Sequence, residues 1–598
     1  GAGITAKAKG IPSLWDGTVD TSWYDPNVPQ KEYAISSAPQ LAGLAQLVNQ
    51  GNSLEGTTIR LHSDLDLAGH NWIPIGNQLE AEEGKKAAVF SGTFEGNGHI
   101  ISNLTIGSQS SPYEGSCAGL FGSVNGHISN LSLENASIFF SPKAQGGQAY
   151  AASAILCAYL GESGSVDHCL AANSSLSAVS LPTSRLLASG GLVGICYGKI
   201  SSASVREGSL SDPNGFGTLG GLCGAAGPGS VLKLCSSSGE ICGIENAVAS
   251  FAGGLLGAAL GDNGKNAASV QRCCAQGTVT GGTWSGGLIG NASNTVVENC
   301  YTTVTVKNAV YGGGFLGIGG DASTSGKISN SYTFGQVSDC FLYGGAFTGS
   351  QKESLEKLSG CYYLAPSPAP LPERNAGASA KPSEFFHSEA ALILLNHSSD
   401  GPWTAGEEYP YCGAERADYS AVEQAAASIP TDLNNYTEKT VASLNQAIDQ
   451  ILYSCTLAEQ AEVDSMAQTI EAAAAALVLR PADYMLVEEA LAMVPQDLSV
   501  YTKESVAALT DAVETVPRGQ TVLNQAEVDL AAHAIEQAVI GLIPLEGGTE
   551  NKFANQPEGE ERPETGDFDL LPIFISLLLS AGLLLVGWLA KKKKKARA

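Results

Sequence analysis

A short glycine motif that recurs along the middle of the chain restricts the possible folds more than any other feature. The motif Gly-Leu-x-Gly begins a new copy about every thirty residues. A unit of this length is too small to bury its own apolar face, so such units stack on one another. The core glycines of the five full copies are Gly119 and Gly122, Gly191 and Gly194, Gly221 and Gly224, Gly254 and Gly257, and Gly287 and Gly290.

The residues between the motifs indicate short strands. Runs such as 128–133 and 296–301 alternate apolar and polar residues and are bounded by Gly, Asn and Ser, which is typical of strand–turn–strand segments. Paired glycines such as Gly190-Gly191 would let the backbone turn a corner where a Cβ would clash. The sequence therefore predicts a mainly β fold, a right-handed parallel β-solenoid (β-helix).

These copies resemble the GLUG repeats of bacterial surface and secreted proteins, and the resemblance covers roughly residues 115–365. Residues 72–76 and 90–99 look like the module that commonly precedes such repeats, so we assign 1–114 to an N-terminal cap and opening module. The apolar stripe of Leu41, Leu44, Leu47 and Val48 predicts a helix that caps the open end of the solenoid. Two readings of the nearby aromatic residues stay open, closure of this cap or a sugar platform; those residues are Trp15, Trp23 and Tyr24.

A second repeat follows, with a different composition. Residues 366–414 are assigned to a linker and closing cap, after which Ala, Glu, Gln, Leu and Val replace most of the glycine. The residues from Ala417 onward form a new pattern that repeats after 65 residues, so that Ala417-Asp418-Tyr419 recurs as Ala482-Asp483-Tyr484. The helical periodicity predicts two small all-α three-helix bundles, at 415–480 and 481–545. They resemble the FIVAR-type modules of Gram-positive surface proteins, which either bind ligands or act as spacers.

The C-terminal end has three parts in a fixed order. A polar spacer at 546–569 precedes an uncharged stretch at 570–590, which is long enough for a transmembrane helix. The basic residues of 591–598 favour a cytoplasmic tail. The spacer contains Arg562, Pro563, Glu564, Thr565 and Gly566.

This order resembles the cell-wall sorting signal of Gram-positive surface proteins, a Leu-Pro-x-Thr-Gly (LPXTG) motif followed by an apolar helix and a basic tail. The resemblance implies that a sortase cleaves after Thr565 and joins Thr565 to peptidoglycan. Arg562 stands where the family has Leu, which leaves the sortase class open. No leader peptide is visible at the start of the given chain, and we take it as removed or omitted.

Charge and cysteine usage restrict the partners. The net charge is −27, which disfavours nucleic acid as a partner because phosphate contacts need Lys and Arg. Most of the fourteen cysteines recur at similar points of the repeat and lack a CxxC pair. We therefore expect buried free thiols rather than disulfides, and we predict neither a metal site nor a cofactor. The recurring cysteines are Cys169, Cys235, Cys273, Cys300 and Cys361.

The candidates for catalysis are few. Asp64 and Asp66 would share one face of a strand, and Glu95 and His99 lie in the same opening module. Polar positions on a solvated strand explain them as well as acid–base chemistry does. We therefore predict a non-enzymatic, wall-anchored adhesin or binding protein for glycan, mucin or matrix. The alternatives are a carbohydrate-active enzyme on a β-helix scaffold and a purely structural stalk.

Overall fold

The computed structural model describes residues 12–79, 88–143, 150–182, 186–260, 268–319, 326–349, 358–365, 377–397 and 401–545. Within these ranges the chain is mainly β, and its strands form three sheets of 25, 8 and 7 strands. The pairings between these strands are parallel. Contacts divide the chain into unit 1, Gly1–Val478, and unit 2, Leu479–Ala598.

Unit 1 begins with a helix set among short strands. Ser37 caps this helix, since its side chain accepts a hydrogen bond from the backbone N–H of Gln40. The first elements are β1 (Glu32–Ile35), α1 (Ala38–Asn49), β2 (Thr58–Leu61), β3 (Leu65–Asp66), β4 (Thr93–Glu95), β5 (Ile100–Ser102), β6 (Thr105–Ile106), β7 (Cys117–Ala118) and β8 (Phe121–Val124).

From β4 onward the chain winds in coils, and β4–β8 form coil 1. Each later coil pairs strand by strand with the coil before it. Coil 2 comprises β9 (His127–Ser129), β10 (Ser132–Glu134), β11 (Ser137–Phe140), β12 (Tyr150–Ala154) and β13 (Cys157–Leu160). Coil 3 comprises β14 (Ser165–Asp167), β15 (Leu170–Ala172), β16 (Ser175–Ala178), β17 (Leu186–Gly190) and β18 (Val193–Cys196). Coil 4 comprises β19 (Lys199–Ser201), β20 (Ser204–Ser211), β21 (Thr218–Gly220) and β22 (Cys223–Ala226).

The next coils keep the same plan. Coil 5 comprises β23 (Ser230–Lys233), β24 (Ser236–Cys242), β25 (Phe251–Gly253) and β26 (Leu256–Ala259), and coil 6 comprises β27 (Ala268–Gln271), β28 (Cys274–Thr280), β29 (Trp284–Gly286) and β30 (Ile289–Ala292). Coil 7 comprises β31 (Val296–Glu298), β32 (Tyr301–Thr302), β33 (Thr305–Lys307), β34 (Tyr311–Gly313) and β35 (Leu316–Gly319). Coil 8 comprises β36 (Lys327–Thr333), β37 (Val337–Ser338) and β38 (Tyr343–Gly345), followed by β39 (Leu358–Leu364) and β40 (Ala378–Lys381).

One apolar core runs through the stacked coils and continues into α1. Equivalent residues of successive coils lie above one another, so each buries its side chain against the copies before and after it. The leucine of the glycine motif forms such a column, and the column residues are fully buried: Leu120, Leu156, Leu192, Leu222, Leu255, Leu288, Phe315 and Phe347.

The motif glycines lie where backbones of neighbouring strands approach closely. A Cβ on Gly221 would overlap the carbonyl oxygen of Gly254 in the next coil, and one on Gly220 would overlap the carbonyl of Cys223 across the turn. Neither glycine has a positive φ. Close approach, not a left-handed backbone, therefore requires glycine at these positions.

A corner of each coil does use the left-handed backbone. In coils 2 to 7 a single residue between the first and second strands adopts φ of about +50°, and its N–H donates to the carbonyl oxygen that precedes the same corner of the next coil. Asn330 has a similar φ at the equivalent position within β36 of coil 8. We call this row the corner column. Its members are Asn130, His168, Ser202, Leu234, Arg272, Asn299 and Asn330.

After β40 the described chain is largely helical. Unit 1 contains α2 (Ser383–Phe386), α3 (Glu389–Leu395), α4 (Ser420–Ala427), α5 (Glu438–Asp449) and α6 (Gln460–Ala475), and unit 2 contains α7 (Met485–Ala492), α8 (Lys503–Glu514) and α9 (Gln525–Ile540). Helices α4, α5 and α6 pack around one core, and we call these three helices module 1. Helices α7, α8 and α9 pack around a separate core, and we call these three helices module 2. Among the helices described, none combines the length and apolar character needed to span a bilayer.

Candidate functional site

The predicted sorting signal lies outside the described residues. This holds for Arg562, Pro563, Glu564, Thr565 and Gly566, and for the predicted transmembrane segment 570–590 and basic tail 591–598. The wall-attachment residue Thr565 therefore remains a prediction from sequence.

The N-terminal aromatic residues lie in the cap region. Trp15 is buried and packs edge-on against Trp72, with ring centroids 5.7 Å apart. Trp23 and Tyr24 are partly buried against the solenoid core. Leu47 of α1 is half-buried, whereas Leu41, Leu44 and Val48 are fully buried. These positions favour closure of the cap over an open sugar platform.

The carboxylates of the opening module take part in local hydrogen bonds. Asp64 Oδ1 lies 2.9 Å from His99 Nδ1 and accepts the N–H of Ile100. Asp66 Oδ1 accepts hydrogen bonds from the Ala68 N–H and the Asn103 amide. These bonds tie neighbouring coils together.

Glu95 makes comparable bonds in coil 1. Its carboxylate accepts hydrogen bonds from the Ser129 hydroxyl at 2.8 Å and from the Asn130 amide at 3.0 Å. It also accepts the N–H of Asn97. A glycosidase needs two carboxylates facing a substrate, whereas the bonds of Glu95 join one coil to the next.

All fourteen cysteines are free in the structure, and the five recurring ones are buried. Burial raises the pKa of the Cys169 thiol to about 12. Such thiols stay protonated at neutral pH and are poor nucleophiles. This column therefore packs as small apolar side chains inside the coils.

The chain after the last coil runs back along the side of the solenoid. We call residues 377–478 the return segment. It passes over the corner column in reverse order, from coil 7 towards coil 3. Its hydrogen bonds to the column join Trp403 Nε1 to Asn299 Oδ1 (3.1 Å), Arg272 Nε to Cys412 O (2.9 Å), Ser202 Oγ to Glu459 Oε1 (2.9 Å), and His168 Nε2 to Glu459 Oε1 (2.8 Å).

Aromatic packing fastens the same segment to coils 6 to 8. Tyr301 and Tyr332 stack with ring centroids 5.1 Å apart. Trp403 and Phe386 of the return segment cover them, with Trp403 5.4 Å from Tyr332. The predicted closing cap at 366–414 therefore includes residues that pack on the flank of the coils. Burial of these rings is the main apolar contribution to this contact.

The most polar part of the contact is an ion network that we call the latch. His168 donates to Asp167 Oδ2 at 2.6 Å and to Glu459 Oε1 at 2.8 Å. Glu459 Oε2 accepts the Thr456 N–H, so the same carboxylate completes a capping box at the start of the third helix of module 1. One side chain therefore serves both the helix and the docking contact.

The latch changes the proton affinities of its members. Burial lowers the pKa of His168, but hydrogen bonds to Asp167 and Glu459 outweigh it and raise that pKa to about 10. Burial raises the pKa of the Glu459 carboxyl, but the hydrogen bonds from His168 and Thr456 outweigh it and lower that pKa to about 2. At neutral pH a charged imidazolium therefore lies between two carboxylates.

A second edge of the solenoid carries the loops that follow β16, β20, β24, β28, β33 and β37 in coils 3 to 8. We call the loops 179–182, 212–217, 243–250, 281–283, 308–310 and 339–342 the loop ridge. Hydrogen bonds join neighbouring loops at four of the five junctions, and at the fifth the N–H of Asp212 donates to the carbonyl oxygen of Cys242, which precedes the next loop. The bonds include Asn214 Nδ2 to Ser180 O (2.7 Å), Gly282 N to Ile244 O (3.0 Å), Thr283 Oγ1 to Ala247 O (2.8 Å), Val310 N to Gly282 O (2.9 Å) and Phe341 N to Ala309 O (2.8 Å).

The loop ridge exposes large apolar side chains. Val248 is 78% exposed and Phe341 is 69% exposed. The other exposed apolar residues of the ridge are Leu181, Phe216, Ile244 and Leu342. A rigid row of exposed apolar groups is a feature of interaction surfaces.

Beside the ridge, three half-buried rings form a stack on the strands that follow. Phe251 and Trp284 have centroids 5.5 Å apart, and Trp284 and Tyr311 have centroids 5.8 Å apart. Because the rings stack on one another, the faces of Trp284 are covered. The stack supports the ridge and leaves ring edges for a ligand.

The sequence patterns described above predicted neither the loop ridge nor the latch. A signal for the ridge existed, because Phe216, Val248 and Phe341 interrupt loops otherwise rich in Gly, Ser, Asn and Asp. His168 is one of two histidines within residues 115–365; the other, His127, lies 2.7 Å from the Ser165 hydroxyl. Nothing local connects His168 to Glu459, which is 291 residues away.

Comparisons with known proteins give limited information. No family model matches the chain. A stretch of 135 residues is 30% identical to halomucin of Haloquadratum walsbyi (strain DSM 16790 / HBSQ001), covering 21% of this chain and 1% of halomucin. A solved structure of an IgA1 protease covers 69% of this chain and 28% of its own, with 15% identity and a TM-score of 0.34; similarity at that level is too weak to assign a fold. The halomucin match is compatible with a surface protein and does not specify a function.

Proposed function

We propose that this chain is a surface-displayed binding protein of a Gram-positive bacterium, joined to the cell wall through Thr565. The observation that carries the proposal is the C-terminal order of Arg562–Gly566, an uncharged stretch and a basic tail. In this proposal the sortase and peptidoglycan act on the C-terminal end, and the solenoid is a right-handed GLUG-type β-helix. Modules 1 and 2 are FIVAR-type modules.

The wall attachment has a direct test. Thr565→Ala keeps the backbone carbonyl at the proposed cleavage point but removes the threonine side chain of the sorting motif, so the protein should move from the wall fraction to the membrane fraction. Thr549→Ala, in the same polar spacer, is the matched control and should stay in the wall fraction. An unchanged wall fraction for Thr565→Ala would exclude sorting at this site.

Arg562 allows a second measurement on the same signal. Replacing Arg562 with Leu restores the family residue, so a sortase that prefers Leu should process the variant faster. A sortase adapted to Arg should process it more slowly. The initial rate of wall incorporation distinguishes the two sortase classes.

We place ligand binding on the loop ridge. The return segment covers the corner column, whereas the ridge exposes a hydrogen-bonded row of apolar residues. The opening-module carboxylates are held in hydrogen bonds between coils, which supports a binding role over hydrolysis.

A screen of the full chain on glycan, mucin and matrix-protein arrays tests this proposal. Val248→Ser and Phe341→Ser should each reduce the binding signal about tenfold. Val28→Ser changes an exposed valine outside the ridge and should leave binding unchanged. No binding on any array would favour the structural stalk, and release of reducing sugar from a bound glycan would favour the enzyme.

A further inference from the structure

Two cysteines and a glutamate converge where the return segment meets coil 6. The thiol sulfurs of Cys274 and Cys412 and a carboxylate oxygen of Glu415 all lie within 4.8 Å of one another. Both thiols are buried, with Cys274 2% and Cys412 0% exposed. Cys274 belongs to the aromatic cluster on the flank, whereas its neighbour Cys273 points into the solenoid core.

The backbone around these residues is held in place by hydrogen bonds. Arg272 Nε donates to the carbonyl oxygen of Cys412 at 2.9 Å and so fixes the loop to coil 6. The Glu415 carboxylate accepts the N–H groups of Cys412 and Gly413 at 3.1 and 2.8 Å. Gly413 has a φ of +93°, which turns the chain so that residues 412 and 415 face the same point.

A buried hydroxyl beside this cluster has no hydrogen bond within the described residues. Tyr301 is fully buried, and its Oη atom has no partner there. The Cys274 thiol, a weak donor and acceptor, lies beside this hydroxyl, and Glu415 and Cys412 lie nearby. A buried polar atom without a partner costs about 1–3 kcal/mol, so a ligand at this point would account for it.

We propose that Cys274, Cys412 and Glu415 bind one zinc(II) ion that joins the return segment to the solenoid. Thiolate and carboxylate are standard zinc ligands, and residues 412 and 415 have the short spacing of a metal-binding loop. Tetrahedral zinc with Zn–S bonds of about 2.3 Å requires the two sulfurs to be about 3.8 Å apart. The sulfurs lie within 4.8 Å of each other, so they are at most about 1 Å farther apart than this geometry requires.

The charges of the site balance when zinc is bound. Zinc displaces one proton from each thiol, and the three negative ligands, the ion and Arg272 then sum to zero. The Tyr301 hydroxyl donates to the water in the fourth coordination position, as groups around zinc sites commonly do. A disulfide between Cys274 and Cys412 would use the same thiols, and Glu415 would then keep only its bonds to the N–H groups of Cys412 and Gly413.

Zinc content of the full chain, purified under reducing conditions and dialysed against a zinc buffer, tests the proposal. We expect about one zinc per chain and release of about two protons on binding. Cys274→Ser and Cys412→Ser should each lower the zinc content at least tenfold. Cys361→Ser removes another buried thiol and should keep the full content.

A second variant keeps both thiols in case the cysteine variants do not fold. Glu415→Gln should weaken zinc binding at least tenfold and remove the thiolate-to-metal absorption of the cobalt(II) form. Zinc content that is unchanged in the Cys274→Ser, Cys412→Ser double variant overturns the proposal. A loss of two of the fourteen titratable thiols without reductant, together with no bound zinc, also overturns it and indicates a disulfide.

Discussion

Modules 1 and 2 each have their own core, built from equivalent residues, and their surfaces differ. Their matching core residues are 65 positions apart and nearly or fully buried in both: Val422 and Val487, Leu444 and Leu509, Val463 and Val528, and Ile470 and Ile535. A hydrogen bond within each module also recurs. Tyr419 Oη donates to the Leu452 carbonyl in module 1, and Tyr484 Oη donates to the Pro517 carbonyl in module 2.

The surfaces of the two modules differ at many positions, and two of these differences stand out. Module 1 has Glu459, the latch carboxylate, where module 2 has Asn524. Module 1 has Ser465 where module 2 has Leu530, which is 69% exposed. A repeated core therefore preserves a fold while the surface residues differ, and one of the differing residues, Glu459 of module 1, contacts the solenoid.

Truncation of the matched core isoleucines should give the largest effect. Ile470→Ala and Ile535→Ala each leave a cavity in a packed core, so each should lower the free energy of unfolding of its own module by about 2–5 kcal/mol. Hydrogen exchange resolves the two modules separately. A difference above about 2 kcal/mol between the variants would show that docking on the solenoid supports the core of module 1.

Removal of the latch carboxylate should have the next largest effect. Glu459→Gln weakens charged hydrogen bonds to His168 and to the Thr456 N–H, which should cost unit 1 about 2–3 kcal/mol. The matched control, Asn524→Ala in module 2, should change stability by less than about 0.5 kcal/mol. Equal losses measured by denaturant unfolding would contradict a role for the latch.

The pH dependence of unit 1 should follow the latch. The raised pKa of His168 means that its contribution is complete below about 6.5 and is lost as the pH rises through about 10. The lowered pKa of Glu459 means that its contribution is complete above 4.5 and is lost as the pH falls through about 2. The loss at either end reports the same contacts that Glu459→Gln weakens.

The free energy of unfolding of the wild type and of His168→Gln, measured between pH 2 and 10.5, tests the pH dependence of unit 1. The variant should flatten the alkaline decline and leave module 2 unaffected. An alkaline decline of the same size in His168→Gln would assign it to other groups.

The smallest expected effect concerns the hydrogen bonds of the repeated tyrosine, Tyr419 in module 1 and Tyr484 in module 2. Tyr419→Phe and Tyr484→Phe each remove one hydroxyl that donates to a carbonyl and accepts a backbone N–H, from Cys455 and Gln520 respectively. Each should cost about 1 kcal/mol, with the larger loss at Tyr419, which is 4% exposed. Urea unfolding midpoints of the two variants provide the comparison, and a larger loss at Tyr484 would refute this ranking by burial.

The sequence predicted the features that repeat along the chain. Periodic glycines indicated stacked parallel strands, because a backbone corner without a Cβ has a local signature at Gly220 and Gly221. The 65-residue offset indicated two copies of one helical pattern. Thr456 and Glu459 also have the three-residue spacing of a capping box, which is a local sequence pattern. All of these depend on residues close to one another in the chain or on a constant spacing.

The tertiary structure alone decided which surfaces meet. Reversal of the chain after the last coil brings Glu459 to His168 and Cys412 to Cys274, across separations that no periodicity links. The adjacent cysteines 273 and 274 illustrate the limit: alternation along a strand predicts that they face opposite sides. It cannot show that a distant segment covers the outer one, because that depends on the path of the chain and the apolar area it buries.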